Sequence, residues 1–555
     1  VRDVVRAGRF LCDGRRAVLI LTTTAVLLLV AYPIVQLVLK SFPLDNYLTQ
    51  LRAPQSYLAL RNTLYVSVGI TFLATLFGSL LALLVVRTNL PLKRVVRGGV
   101  YLLFLTPAYV GAMAWIQLFG RAGYVTRWLK STFDLVRPPW DLYTLEGVIL
   151  VMGLYMIPIV YLATANALRN ADPSHEEAAV VSGASSLRTL CTVTLPLALP
   201  GILAGAFLVF VHGVAGFGVP ALLAMPSGHS VLTTQIYAAL GHYDVRMACT
   251  LSVLLMVLSA AALWTHNAVL RRGRFATKPS PGRSIRPFEL GRWRWPITTI
   301  AVVFLLLVAG GPIVMIGASS LLKAWGLPIS WGNLTLGNYR SIFSVGVSAR
   351  ALRNSFLFAA GGATCAAVLG LAISYIVHRM RLLRGVRLLD AVATAPLAVP
   401  GPVMAAGMIF AWTMPPLRLY NTPWIILIAY TAAFLPYTVR TVGGVLKGMP
   451  ESLEEIGWLS GGSWARVFGG IVFPVIRRGV WAGWMLVFLM AFREIPISTM
   501  LYTQGTETVG VLLFILKTEA GGLEVVSAVA VVVLVLTALG QYAVGRLAGI
   551  REGIL

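Results

Sequence analysis

The chain has 555 residues, 58% of them apolar and 12% charged, with a mean hydropathy of +0.81. Soluble domains run at about 45–50% apolar and about 25% charged, so a water-soluble enzyme is excluded and a polytopic helical membrane protein is expected. The net charge of +25 is then a topological signal, because Lys and Arg gather on the cytoplasmic loops of such proteins, and no nucleic-acid partner is implied.

A bilayer core takes about 20 apolar residues per helix, and twelve such stretches are predicted: 17–40, 60–86, 98–119, 145–168, 197–223, 246–270, 296–320, 353–377, 389–414, 423–441, 476–501 and 525–546. The first follows Arg2, Arg6, Arg9, Arg15 and Arg16. It is too long for the apolar core of a signal peptide and is expected as an uncleaved span. Alternate segments from there hold 30 of the 45 Lys and Arg residues, which puts both termini in the cytoplasm. Between the sixth and seventh stretches, residues 271–295 are polar and rich in Pro, Gly and Arg, the composition of a linker between a first half, 1–270, and a second half, 296–555.

Several residues inside the spans carry chemistry. Arg493 and Glu494 lie in the outer third of the eleventh stretch, where a charge costs about 2.5–3.5 kcal/mol on insertion scales. Neighbours on a helix point about 100° apart, so at least one needs a partner on another span. An interhelical pair and a place on a translocation path are both open. The aligned first-half positions are Ala215 and Gly216; His212, Phe217 and Pro220 nearby are further path candidates. Pro107, Pro158, Pro220, Pro396, Pro400 and Pro496 are expected to bend their helices, since each lacks a backbone donor. The four cysteines are scattered, no CxxC or HExxH occurs, and no GxxxxGK[ST] phosphate loop is present. Nothing supports a resident metal or cofactor, or ATP hydrolysis by this chain.

The chain repeats itself. Residues 174–210 align without a gap on 452–488, with 14 of 37 positions identical. Arg61-Asn62-Thr63 is echoed by Arg353-Asn354-Ser355. An even number of spans separates the copies, so the halves share one orientation, related by an axis along the membrane normal. Within the repeat, Ser174-x-x-Glu177 and Ser452-x-x-Glu455 read as capping boxes. Gly183 and Gly461 read as left-handed helix stops, and Pro196 and Pro474 as entries into the next span. The pattern predicts a helix-turn-helix elbow at the membrane surface over 172–196 and again over 450–474.

At these residues the chain resembles a known family. Glu177-Ala178-Ala179, then Gly183, then Val193-Thr194-Leu195-Pro196 is similar to the EAA signature of permease subunits of binding-protein-dependent ABC importers. The second copy keeps Glu455, Gly461, Ile471 and Pro474 but has Ile456-Gly457 in place of the paired alanines. The resemblance implies an all-α, type I permease fold of twelve transmembrane helices in two homologous six-helix halves. It implies that the elbows dock on two copies of a cytoplasmic ATP-binding subunit, which would hold ATP and Mg2+, and that an extracytoplasmic binding protein delivers substrate. Fusion of two halves resembles the ferric-iron importers, with thiamine, polyamine and aminoethylphosphonate permeases as relatives. A twelve-span secondary transporter is the alternative of a different class. It would need ionisable groups near the midplane, which are scarce, and would not need the elbows.

Overall fold

The computed structural model describes residues 15–272, 287–344, 346–380, 385–413, 417–519 and 522–547. Most of the predicted linker, 273–286, lies outside the described residues. Among the described residues there are helices and two isolated β-bridges.

Ten principal helices in the first half have ten counterparts in the second. They are α1 (Ala17–Ser41), α2 (Pro54–Arg87), α3 (Lys93–Leu105), α4 (Ala108–Phe119), α5 (Leu145–Asn170), α6 (Ser174–Val181), α7 (Ser186–Ala215), α8 (Gly218–Leu223), α9 (Leu232–Gly241) and α10 (Val245–Arg272). The second set is α11 (Gly291–Ser320), α12 (Gly346–Arg379), α13 (Val386–Thr394), α14 (Gly401–Trp412), α15 (Pro423–Gly448), α16 (Ser452–Leu459), α17 (Trp464–Phe492), α18 (Pro496–Leu501), α19 (Val509–Glu519) and α20 (Leu523–Leu547). Helix n pairs with helix n+10 throughout.

Ten helices are long and apolar enough to cross a membrane, and two bent pairs bring the number to twelve. The bent pairs agree with the bends expected at Pro107 and Pro400. The chain turns by 101° between α3 and α4 and by 116° between α13 and α14, with Pro107 and Pro400 as the residues just before α4 and α14. Pro158 lies inside α5 and its counterpart Pro436 inside α15. The fifth and eleventh spans also end earlier than predicted, at Ala215 and Phe492, and begin earlier, at Ser186 and Trp464.

Four π turns occur, at Leu27–Ala31, Leu190–Thr194, Leu306–Gly310 and Phe468–Val472. Each stands just ahead of a proline: Pro33, Pro196, Pro312 and Pro474. A proline has no amide hydrogen and its ring crowds the carbonyl four residues back, so one wider turn lets the helix continue past it. Pro196 and Pro474 therefore do not mark span entries; they sit inside continuous helices.

In each half α2, α5 and α7, or α12, α15 and α17, pack as a core trio. Their crossing needs small residues. A Cβ on Gly78 would lie 2.8 Å from Val160 Cβ, and one on its counterpart Gly370 would lie 2.2 Å from Thr438 Oγ1. The first helix of each half is exchanged: α1 packs on α14 and α11 on α4. At a rise of about 1.5 Å per residue, the 34 residues of α2 and of α12 reach roughly 50 Å. That exceeds a hydrocarbon core of about 30 Å, so both helices are longer than the core alone requires.

Candidate coupling elbows and central pathway

Each elbow is a short helix stopped by glycine. After α6, Gly183 has φ +84°, and after α16, Gly461 has φ +78°. The Gly183 amide donates to Val180 O (2.9 Å) and the Ala184 amide to Ala179 O (3.0 Å); Gly461 and Gly462 repeat this on Trp458 O and Gly457 O, both at 3.0 Å. These are Schellman closures, which satisfy the last carbonyls of the helix.

The start of each elbow differs from the capping boxes predicted. The helices begin at Ser174 and Ser452 themselves, preceded by Pro173 and Glu451, with no side-chain cap bond. Asp172 Oδ1 accepts from the Ser174 amide instead (2.9 Å). The register moves by one, so Glu176 and Glu454 occupy the third helical position and are buried, 7% and 1% exposed. Glu177 and Ala178 face outward, as does Gly183.

The buried glutamates tie the elbows to the long helices. Glu176 pairs with Arg87 at the end of α2 (3.4 Å) and accepts from Thr194 Oγ1 (2.7 Å). Glu454 accepts from Arg379 Nε at the end of α12 (2.5 Å) and from the Tyr375 hydroxyl (3.1 Å). Arg379 also donates to Met449 O (2.9 Å) and Leu446 O (3.3 Å), whereas the Arg87 guanidinium, 1% exposed, makes no hydrogen bond among the described residues. The second elbow is the better anchored. Just past Arg87, the Phe288 amide donates to Arg87 O (2.8 Å) and Asn89 to Phe288 O (3.1 Å), so the end of the linker region is stitched to the end of α2. Each elbow then offers an exposed apolar knob at equivalent positions, Val181 (88%) and Leu459 (87%).

Toward the other end of the bundle, the Arg-Asn-Thr/Ser echo acts as a clamp. Thr63 Oγ1 accepts from the Leu232 amide (2.8 Å) and Ser355 Oγ from the Val509 amide (2.7 Å), fixing the first residues of α9 and α19. Asn62 donates to Ser230 O (3.0 Å), and Asn354 to Gly505 O (2.9 Å) and Glu507 O (3.0 Å). Arg350 pairs with Glu507 (2.9 Å). Burial raises the Glu507 carboxyl, but Arg350 and the Gly505 amide outweigh it and hold the group below the ordinary carboxylate range.

The clamped helices meet. Tyr237, sixth residue of α9, and Phe514, sixth residue of α19, have ring centroids 5.8 Å apart. Equivalent positions in contact lie on the axis relating the halves. Phe217 completes the cluster, 5.5 Å from Tyr237 and 6.0 Å from Phe514, and is 2% exposed. The three rings form one cluster where the halves meet.

Arg493 and Glu494 border this centre but not as residues of a helical span. Phe492 is the last residue of α17, and both follow the break. Glu494 turns its carboxylate onto the start of α18, accepting from the Ile497 amide (2.6 Å), the Ser498 amide (2.9 Å) and Ser498 Oγ (3.0 Å). It needs no cationic partner. Arg493 lies within electrostatic reach of Tyr109 from the first half and Tyr437 from α15. In the first half, Gly216 stands where Glu494 does, and its carbonyl accepts from Thr233 Oγ1 (2.6 Å). Pro220 is buried in α8, against α4 and α5. His212 is exposed and turned back on Leu208 O of its own helix (2.8 Å), away from the aromatic cluster.

Sequence reasoning missed Arg87, Arg379, Glu176, Glu454, Tyr237 and Phe514. The signal existed for some: Glu176 and Glu454 are identical in the repeat, and the interval from Arg61 to Arg87 equals that from Arg353 to Arg379.

The described residues form a polytopic all-α bundle of two matching sets of helices with paired elbows. The model of the family described as binding-protein-dependent transport system inner membrane component matches residues 74–274. The chain is 28% identical over 464 residues to the ferric transport system permease protein FbpB of Actinobacillus pleuropneumoniae, covering 80% of this chain and 64% of that protein's own length. It is 28% identical to FbpB 1 of Haemophilus influenzae, named for ferric transport, covering 81% of this chain and 72% of the other. Over 203 residues it is 32% identical to PhnU of Salmonella typhimurium, named for 2-aminoethylphosphonate transport, covering 36% of this chain and 71% of that one. The chain belongs to the family of binding-protein-dependent transport system inner membrane components.

Proposed function

We propose that this chain is the translocating subunit of an ATP-driven importer for ferric iron delivered by an extracytoplasmic binding protein. The observation that carries the reading is the pair of elbows. Each presents an exposed apolar knob, Val181 or Leu459, on a helix anchored through a buried glutamate to a span-length helix. Such a surface suits a partner that pushes rather than a loop that merely connects. The elbow face is cytoplasmic on the distribution of Lys and Arg, both termini included. Two ATP-binding subunits would seat the elbows, and nucleotide-driven closure would draw them together. That motion would pass through Arg87 and Arg379 to α2 and α12, and so to the clamped helices around Phe217, Tyr237 and Phe514. The boundaries 1–270, 271–295 and 296–555 describe the two halves and their link. ATP and Mg2+ would be held by the partner subunits.

Iron as substrate rests on the long relatives named for ferric transport; PhnU supports aminoethylphosphonate as the competing substrate. Among the described residues no cluster of three or more His, Cys, Asp or Glu is placed to hold a metal ion, which suits a pathway whose selectivity is set by the binding protein. The test is reconstitution of the chain with its ATP-binding subunit and binding protein in vesicles. ATP-dependent uptake of radiolabelled ferric iron supports the proposal. Uptake of 2-aminoethylphosphonate alone replaces the substrate, and ion-driven uptake by the chain alone refutes the importer.

A further inference from the structure

At the elbow end of the first half, a cavity of about 260 Å3 opens between α3 and α5. Its polar lining is Arg97 and Tyr101 from α3 and Tyr161, Asn166 and Arg169 from α5. Arg97 and Tyr101 are one turn apart, and Tyr161 and Arg169 two turns apart, so each helix turns a single stripe into the space. Tyr161 is 2% exposed, yet its hydroxyl has no hydrogen-bond partner among the described residues, and neither has the buried Nε of Arg97. Neither arginine is in an ion pair among the described residues. Lys93, one turn before Arg97, adds a third positive charge. The Tyr161 hydroxyl and Arg97 Nε are two buried donors without acceptors, a costly arrangement, and with the more exposed Arg169 and Asn166 beside them the cavity calls for an acceptor.

The second half removes the feature. At the places of Arg97, Tyr161 and Asn166 it has Asp390, Val439 and Gly444, with a basic residue kept only at the place of Arg169, as Lys447, and Asp390 pairs with Arg440 at 3.9 Å. The fold repeats without the cavity chemistry, so the cavity is not a requirement of the architecture.

We propose that this cavity binds a phosphate oxyanion, with the guanidinium groups of Arg97 and Arg169 on its charge and the Tyr161 hydroxyl as a neutral donor. Planar guanidinium forks match phosphate oxygens, and a positive cavity rejects a metal cation. The group comes either as the phosphodiester of an anionic lipid reaching in from the adjacent leaflet or as free phosphate. Bound there, it would bridge α3 to the last turn of α5, next to the residue run 170–173 that leads into elbow α6, and would brace the elbow that has the weaker anchor.

The experiment uses the full chain, stripped of lipid in a neutral detergent, with the thermal unfolding midpoint titrated at constant ionic strength. The probes are inorganic phosphate, dioctanoyl phosphatidylglycerol and, as a charge control, dioctanoyl phosphatidylcholine. A saturable rise with phosphate identifies the free ion; a rise with phosphatidylglycerol and not with phosphatidylcholine identifies the lipid. In either arm the R97Q/R169Q double variant weakens the midpoint response at least tenfold in apparent affinity, and Arg440→Gln leaves it unchanged. Tyr161→Phe, which removes only the hydroxyl, also weakens it and serves if the double variant does not fold. No saturable rise with phosphate or phosphatidylglycerol, an equal rise with both lipids, or an unaltered response in the variants overturns the proposal.

Discussion

Neighbouring glutamates in the first elbow have opposite surroundings, and in the second elbow Glu455 is half-buried. Glu176 and Glu454 are buried against arginines, while Glu177 is exposed one position on. Removing one partner of a buried ion pair costs about 3–5 kcal/mol, because a charge is left behind in the interior. Glu176→Ala is expected near the top of that range, since the Arg87 guanidinium has only this ion pair and no hydrogen bond among the described residues. Glu454→Ala is expected lower, because Arg379 keeps two carbonyls and a 3.5 Å contact to Glu451. Glu177→Ala, at an exposed position, should stay within about 0.5 kcal/mol of wild type. Thermal unfolding in detergent orders the three, and equal midpoints would refute the anchoring role. Glu494 is the other residue whose burial has a local answer. Glu494→Ala strands two amides at the start of α18, at about 1–3 kcal/mol per unsatisfied group, and Glu494→Gln should recover part of the loss by keeping one acceptor. If Glu494→Ala unfolds at the wild-type midpoint, the carboxylate is not what holds α18.

The elbow as an element depends on one backbone conformation. Gly183 and Gly461 are left-handed, and a Cβ at either would meet nothing within 4 Å, so a substitution is penalised by the backbone alone. A β-branched residue there costs about 1–2 kcal/mol, enough to unwind the Schellman turn without disturbing the spans. Gly183→Val and Gly461→Val are therefore expected to insert normally and to lose substrate-stimulated ATP hydrolysis in reconstituted vesicles. The first elbow should suffer more: its anchor is looser, and its sequence holds the paired alanines. Wild-type stimulation in both variants would leave the elbows as connectors.

At the scale of the whole molecule, the exchange of α1 and α11 between halves and the ring contact on the axis make the two halves one closed body. Tyr237, Phe514 and Phe217 pack together where the two halves meet, which is where the proposed function would run its path. Tyr237→Ala and Phe514→Ala remove aromatic volume from the cluster where the halves meet. Each is expected to raise the leak of a small ion through proteoliposomes without ATP, and the double variant more so. His212→Ala, on a side chain outside the cluster, should leave the leak at the wild-type level. A tight double variant would move the closure of the path elsewhere.

Composition, periodicity and the internal repeat by themselves determined the all-α membrane fold, the two halves, the positions of the elbows and the left-handed glycines. These follow from solvent, period and backbone sterics, which act over a few residues and are written locally. The tertiary structure alone decided what long-range contact decides. The one-residue shift that buries Glu176 instead of Glu177 depends on Arg87 being delivered to the elbow by a 34-residue helix. Pro107 and Pro400 mark the turns before α4 and α14 locally, but their size, more than 90°, and the seating of α4 on α11 and of α14 on α1 belong to the tertiary structure. Glu494 reads as a costly charge in an apolar stretch, and only the break after Phe492 reveals the helix start that satisfies it. Tyr237 and Phe514 lie in ordinary apolar runs, 277 residues apart. Only the axis between the halves, which no local pattern encodes, brings them together.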